Sequence, residues 1–464
     1  MKKFWRALTI LLIAALSLYG AYAFFKDHPS IVAIMQKLMQ QMERSQFKNS
    51  ISKMYKIKGI NQNSDRHVAP KKIITKIPGH IYVAMQKPQG PANFDTDNLP
   101  DALYSAGPLD TIHLAPGEYH TAGFHTQNPI LIKGEGKTPQ DVRIIFDGKS
   151  SLSINLEGLN KLEMENLTLS SSLTDAYRGP LIEVTNSKLI LRDTQILAKN
   201  FEMIFKIGQG SELIATGVLF SPGDRGDAIR LTHNARLTVH NTQFKSFRSG
   251  ITTDTRDFSG EIELDNVEFT NGRAVALSLY SGKCHAKHLK IERIMGAIFL
   301  AKNASCDISD SQLSQLETTA IRVEKKSQLS LSRVSMSECG ETCILLSDDA
   351  RLDAEALLLK DGKRAIQLLQ GSSAHLNQIE VSQFAIAIYS HLSQLTINLG
   401  IFSDISEVGI LLKASKLQIG SLSLSHSPIG VSLYDQSELD GKMPTLDKVG
   451  EAIKNNFNNS KVNF

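Results

Sequence analysis

Cysteine is scarce in this chain. Four in 464 residues exclude a scaffold built on disulfides. Tryptophan occurs once and aromatic residues make up 6%. Long apolar runs are almost missing. Only residues 7–25 approach the ~20 apolar residues that a spanning helix needs, which excludes a multi-span membrane protein. Charge of one sign is also missing overall, with 51 Lys and Arg against 47 Asp and Glu. What is present, 42% hydrophobic and 21% charged residues, is an ordinary globular balance and excludes collagen and wholesale disorder. At about 150 residues per domain the length calls for two to four domains, or for one elongated repeat array.

The small net charge hides an asymmetry. Residues 1–77 carry 14 basic and 3 acidic side chains, so residues 78–464 carry 37 basic and 44 acidic ones. A duplex-binding body needs a basic stripe to neutralise phosphates. The acidic body argues against nucleic acid as a partner, and the basic segment reads as flanking a membrane element. Lys2, Lys3 and Arg6 precede the apolar run, which keeps that end cytoplasmic and exports the rest. Residues 1–25 are therefore a transmembrane signal anchor or a signal peptide cleaved after Ala23, within the small-x-small triplet Ala21-Tyr22-Ala23. In the first case the body sits in the periplasm or outside, held to the inner membrane; in the second it is secreted. Residues 26–78 divide into an amphipathic helix and a polar linker. Ile31, Ile34, Met35, Leu38 and Met42 recur at helical spacing. The stretch 30–56 packs on the body, pairs with its own copy in a homo-oligomer, or lies on a membrane surface.

The rest of the chain is repetitive. The pattern apolar-x-apolar-x-x-apolar-x-apolar starts at Leu189, Leu213, Leu237, Ile262, Cys284, Cys306, Leu329, Leu352, Ala374, Leu395 and Leu417. The steps are 21 to 25 residues. A small residue followed by an apolar-x-apolar pair precedes most of these starts, as at Ala228, Ala274, Ala320, Ala365 and Gly409. Each repeat thus holds three short period-2 strands, and none has room for a helix. Three strands closing on themselves make a parallel β-helix whose coils stack at ~4.8 Å. The reading is an all-β chain, a right-handed, single-stranded parallel β-helix of about 12–14 coils over residues 79–440. Such a stack needs its two ends covered. Residues 98–106 look like a short cap helix. At the other end Leu446, Val449, Ile453 and Phe457 form an apolar stripe that predicts a second cap helix within 441–464.

The opening of the body resembles that of pectin-lyase-like right-handed β-helix proteins. The matching segments are Asp110 to Tyr119 (DTIHLAPGEY) and Pro129 to Gly136 (PILIKGEG), with the Ala-Leu-bearing helix between them and the first strand at Ile81. The resemblance implies that fold over about 80–440 and, by association, a polysaccharide as ligand. If it implies an enzyme, the type is a polysaccharide lyase, hydrolase or epimerase. None of the paired-Asp, Gln-Asp or Asp-Pro-His-Asp signatures of the pectinolytic and epimerase branches occurs here.

The repeat register identifies outward side chains. Between the first two apolar positions the outward column contains Glu263, His285 and Asp307 in consecutive coils, so neighbours stand ~4.8 Å apart. The adjoining turn column reads Asn241, Asn266, His288 and Asp310. A carboxylate–imidazole pair supplies a proton donor and an acceptor to a sugar. Glu263, His285 and Asp307 are the catalytic candidates. His288 and Asp310, with Asp254 and Arg256 from the loop at 254–260, are the substrate-binding candidates. The same acids and imidazoles suit a divalent cation such as calcium. The alternative for every one of them is a solvated cross-strand ladder. A competing function rests on the apolar residues Phe299, Leu345 and Leu411, expected to face water with Leu358 and Ile401. They suggest a scaffold docking an envelope protein or a second copy. Cys284 and Cys306 occupy one inward position a coil apart; Cys339 and Cys343 are near enough to bridge in an oxidising compartment.

Overall fold

The computed structural model describes residues 79–84, 96–121, 123, 128–147, 152–155, 161–254, 258–456 and 459–464. The chain divides into units 1–69 and 70–464. The anchor or signal of residues 1–25, the amphipathic stretch 30–56, and Arg256 lie outside the described residues. Among the described residues no helix is long and apolar enough to cross a membrane.

Alternation of apolar and polar residues makes each segment a strand, and one left-handed residue at each corner bends that strand onward. The first corner uses Asn241, Asn266, His288, Asp310 and Arg333, all near φ +50°. The second uses Asn271, Arg293, Gln315, Glu338 and Asp361. Asn and Asp reach this region cheaply, whereas Arg293 or Arg333 costs about 1–2 kcal/mol there. The closing of a ladder on both sides of the corner offsets that cost. A run such as Glu261–Leu279 is therefore one strand folded over three faces. Coil stacks on coil in parallel. On the first face Leu237, Ile262, Cys284, Cys306, Leu329, Leu352, Ala374, Leu395 and Leu417 are register partners in succession. The solenoid has about 14 turns.

The inward columns form one continuous apolar core. On the second face Phe220, Phe244 and Phe269 stack with centroids 4.7 and 4.6 Å apart. Asparagine also stacks, with Asn266 Nδ2 donating to Asn241 Oδ1 at 2.7 Å. All four cysteines are free and buried. The hydrogen bond with Cys284, together with burial, holds the Cys306 thiol well above the ordinary thiol range. Burial does the same for Cys343. Both behave as inert small hydrophobes.

The helix near the start runs Leu99–Ser105, capped by the Asn98 side chain, which accepts from the Asp101 N–H, and it turns Leu99, Ala102 and Leu103 into the core. The cap helix expected in 441–464 is not formed. Thr445–Asn455 is a strand paired in parallel with Lys416–Tyr434, and Leu446 and Ile453 continue the columns of Leu424 and Val431. The cause is the left-handed corner at Lys448, which breaks alternation and leaves a spacing of three and four residues that imitates a helix.

The third face carries the outward column Ser278, Phe299, Arg322, Leu345, Gln367, Tyr389 and Leu411; in the sequence, taking the middle position of the apolar-x-apolar pair as outward leads instead to Ala276 and Ala387, and both are buried. An extra residue between Gly272 and Val275 shifts the register. Nor do Phe299, Leu345 and Leu411 stand free in water. All three are half-buried, and Phe299 is flanked by the Tyr280 ring at 5.5 Å and the Arg322 guanidinium at 6.0 Å. Leu358 and Ile401 on the second face are the exposed ones.

Candidate functional site

The first face carries a groove along the solenoid axis. Outward residues two apart on each strand form its walls, and the backbone with Leu264, Ala286, Ile308, Leu331 and Ala354 forms its floor. One wall is the column Glu263, His285, Asp307, Ser330, Asp353 and His375, partners in unbroken register. The other includes His240, Asp265, Lys287, Ser309, Ser332, Glu355 and Asn377. From Glu263 to His375 is five coil steps, ~24 Å. The groove volume is about 850 Å³.

The three catalytic candidates are brought together, with one change of partner. His285 Nδ1 lies 3.1 Å from Asp307 Oδ2, and its Nε2 lies 3.8 Å from Glu261 Oε1 rather than against Glu263. Glu263 stands beside His285 in register and has no ion pair among the described residues. His285 and Asp307 are each 51% exposed, so the pair is open to a ligand.

The substrate-binding candidates fare differently. His288 Nδ1 lies 2.9 Å from Asp265 Oδ1, and Lys287 Nζ lies 3.3 Å from Asp265 Oδ2. The His288 hydrogen bond holds the Asp265 carboxyl below the ordinary carboxylate range. Asp310 is gripped by Arg333, Nε to Oδ1 at 2.5 Å and Nη2 to Oδ2 at 2.8 Å, which lowers its carboxyl likewise. His288 and Asp310 are thus satisfied within the protein and do not line the groove; neither does Asp254. Asp265 is the residue that sequence reasoning missed. Its signal was its place two residues after Glu263, on the opposite wall. Among the described residues no group of three His, Cys, Asp or Glu is arranged to hold a metal ion.

The groove is acidic. Glu263, Asp265, Asp307, Asp353 and Glu355 line it with a single lysine, Lys287. Such a surface repels polyanions and suits neutral hydroxyl-rich chains, whose hydroxyls donate to carboxylates.

No protein-family model and no curated protein matches the sequence. Solved structures do. The catalytic domain of a GH87 alpha-1,3-glucanase in complex with tetrasaccharides is 9% identical, with 84% of this chain and 70% of that one covered and a TM-score of 0.39. Tailspike protein 3 of bacteriophage CBA120 is 11% identical over 82% of this chain and 61% of that one, TM-score 0.30. The periplasmic alginate epimerase AlgG is 9% identical over 78% of this chain and 83% of that one, TM-score 0.32. The chain itself is an all-β parallel β-solenoid of about 14 turns.

Proposed function

We propose that this protein binds a neutral polysaccharide lengthwise in the first-face groove, and that it is exported and tethered to the membrane through residues 7–25. The observation that carries the reading is the groove itself, a continuous acidic channel of carboxylates, imidazoles and hydroxyls along consecutive coils. Rigid strands fix those groups without further ordering, which favours binding. Lys2, Lys3 and Arg6 ahead of the apolar run support export.

A catalytic extension draws on Glu263, His285 and Asp307. Glu263 has no ion pair among the described residues, whereas His285 in the next coil lies 3.1 Å from Asp307. Two carboxylates flanking an imidazole hold the parts of acid–base chemistry on a glycosidic bond. Of its apolar residues the scaffold alternative keeps only Leu358 and Ile401 exposed, since Phe299, Leu345 and Leu411 are half-buried. The test is a glycan array with the full chain, followed by reducing-end and unsaturated-product assays on whatever binds. Retention of neutral glycans is expected. Retention of none overturns the proposal. Binding without product confines the function to recognition.

A further inference from the structure

A second cavity lies at the corner between the second and third faces, away from the groove. It occupies about 440 Å³ and is lined by Arg178, Arg225 and Arg248 with Tyr177, Asn200 and Glu202. These residues come from neighbouring coils, and three of the ladder steps there are irregular. Register shifts fall between Phe201 and Met203, between Gly223 and Asp227, and between Phe247 and Ser249. Bulges widen a corner and re-aim side chains. In the segment Gly223-Asp224-Arg225-Gly226-Asp227, Gly223 adopts φ +79°, and a Cβ on Gly226 would meet the Phe201 carbonyl oxygen at 2.8 Å. The two glycines hold Arg225 out from the coil while Asp227 turns inward.

Asp227 is 2% exposed. It accepts two hydrogen bonds from Arg248, Nε to Oδ1 at 2.9 Å and Nη2 to Oδ2 at 2.8 Å, and one from Arg230 at 2.9 Å. This buried carboxylate fixes the Arg248 guanidinium in the cavity wall. Glu202 leans toward Arg230, 3.8 Å away, and Asp224 is taken by Arg273 at 2.6 Å. Arg178 and Arg225 have no partner among the described residues. Three arginines and one carboxylate thus line the cavity. This positive pocket sits on a body in which acidic residues outnumber basic ones by seven. Tyr177 supplies a ring wall, packed edge-on against Phe201 at 5.6 Å, and the Asn200 side chain is held by donating from Nδ2 to the Leu173 carbonyl at 2.7 Å.

We infer that this corner is a binding site for a saccharide bearing an anionic group, a carboxylate, sulfate or phosphate, held by Arg178, Arg225 and Arg248 with its ring against Tyr177. Guanidinium forks match the planar oxygens of such groups, and an aromatic wall suits a sugar ring. The site is independent of the groove, which rejects the same charge.

The test is calorimetric titration of the full chain with sialyllactose and tri-galacturonate, with lactose and maltotriose as neutral counterparts, and with sodium sulfate and sodium phosphate. The anionic oligosaccharides are expected to bind, more weakly as salt rises, and the neutral ones not to bind at this site. The double variant Arg178→Gln/Arg225→Gln should lose about tenfold or more in affinity for them. Both side chains are exposed, so its melting temperature should match that of the parent. Asp307→Asn, in the groove, should leave the anionic affinity unchanged. No binding of any charged sugar, full affinity for them in the double variant, or a loss of neutral-sugar binding in that variant as large as the loss for the charged ones overturns the inference. If sulfate or phosphate alone binds as tightly as the saccharides, the saccharide assignment falls.

Discussion

Substituting Asp307 by Asn separates a working groove from a structural ladder, because the two roles predict opposite magnitudes. Asp307 pairs with His285 at 3.1 Å, and both side chains are 51% exposed. An exposed pair of this kind contributes about 0.2–1 kcal/mol to stability. In a body of this size that is about 2 °C of melting temperature or less. A carboxylate that accepts a sugar hydroxyl in the groove is worth more to the ligand, about 1.5–3 kcal/mol for a hydrogen bond to a charged group, or roughly 10- to 150-fold in affinity. Asn keeps the shape and loses the charge. We therefore expect Asp307→Asn and His285→Ala to melt within about 2 °C of the parent while retention of the array-selected glycan falls about tenfold or more. The assays are differential scanning calorimetry and surface plasmon resonance on the same preparations. Unchanged glycan retention in both variants, whatever the melting temperature does, refutes the reasoning and makes the column a ladder.

Other outcomes follow from the coil geometry. In a double-mutant cycle, Phe220→Ala and Phe244→Ala should couple by about 0.5–1.5 kcal/mol in urea denaturation, reflecting their stacked rings; additivity would show that only burial matters. Asp265 has its carboxyl lowered by His288, so its contribution is full above the unfolded carboxylate value near ~4 and is lost as pH falls through the folded value. Asp265→Asn should accordingly flatten the acid limb of the urea midpoint between about pH 5 and 3, by less than about 1 kcal/mol at this exposure. Gly340→Ala would set a Cβ 2.1 Å from the Glu317 carbonyl oxygen and should cost about 1–3 kcal/mol, read from the denaturation midpoint.

Periodicity was the strongest signal in the chain. A step of 21 to 25 residues with period-2 triplets inside it admits little besides a coil of three strands, and the register partners follow from it directly. Legibility failed at the corners. A single left-handed residue deletes one step of the alternation, so apolar spacing of two becomes three. At Leu446, Val449 and Ile453 that spacing is indistinguishable from one face of a helix until the strand is seen to pair with Lys416–Tyr434. At Gly272 an added residue shifts the count, and Ala276 takes an inward place that simple counting assigned to the surface.

The candidate site was legible to the same depth and no further. Register puts Glu263, His285 and Asp307 in one row, because backbone pairing is set by the ladder. It does not decide which way a side chain leans once there. His285 reaches diagonally to Glu261 and forward to Asp307, and His288 turns back to Asp265, because each long polar side chain chooses among several neighbours about 5 Å apart. That choice has a consequence for function. Where a diagonal or direct neighbour satisfies a group, as at His288 and Asp310, the residue is taken up within the protein. Where it does not, as at Glu263, a charged acceptor is left beside an open imidazole–carboxylate pair. The same reasoning separates Asp227, buried between two arginines, from Arg178 and Arg225, which have no partner among the described residues to withdraw them. In a solenoid, where every coil offers similar surface groups, the unsatisfied ones mark where a ligand is to be sought.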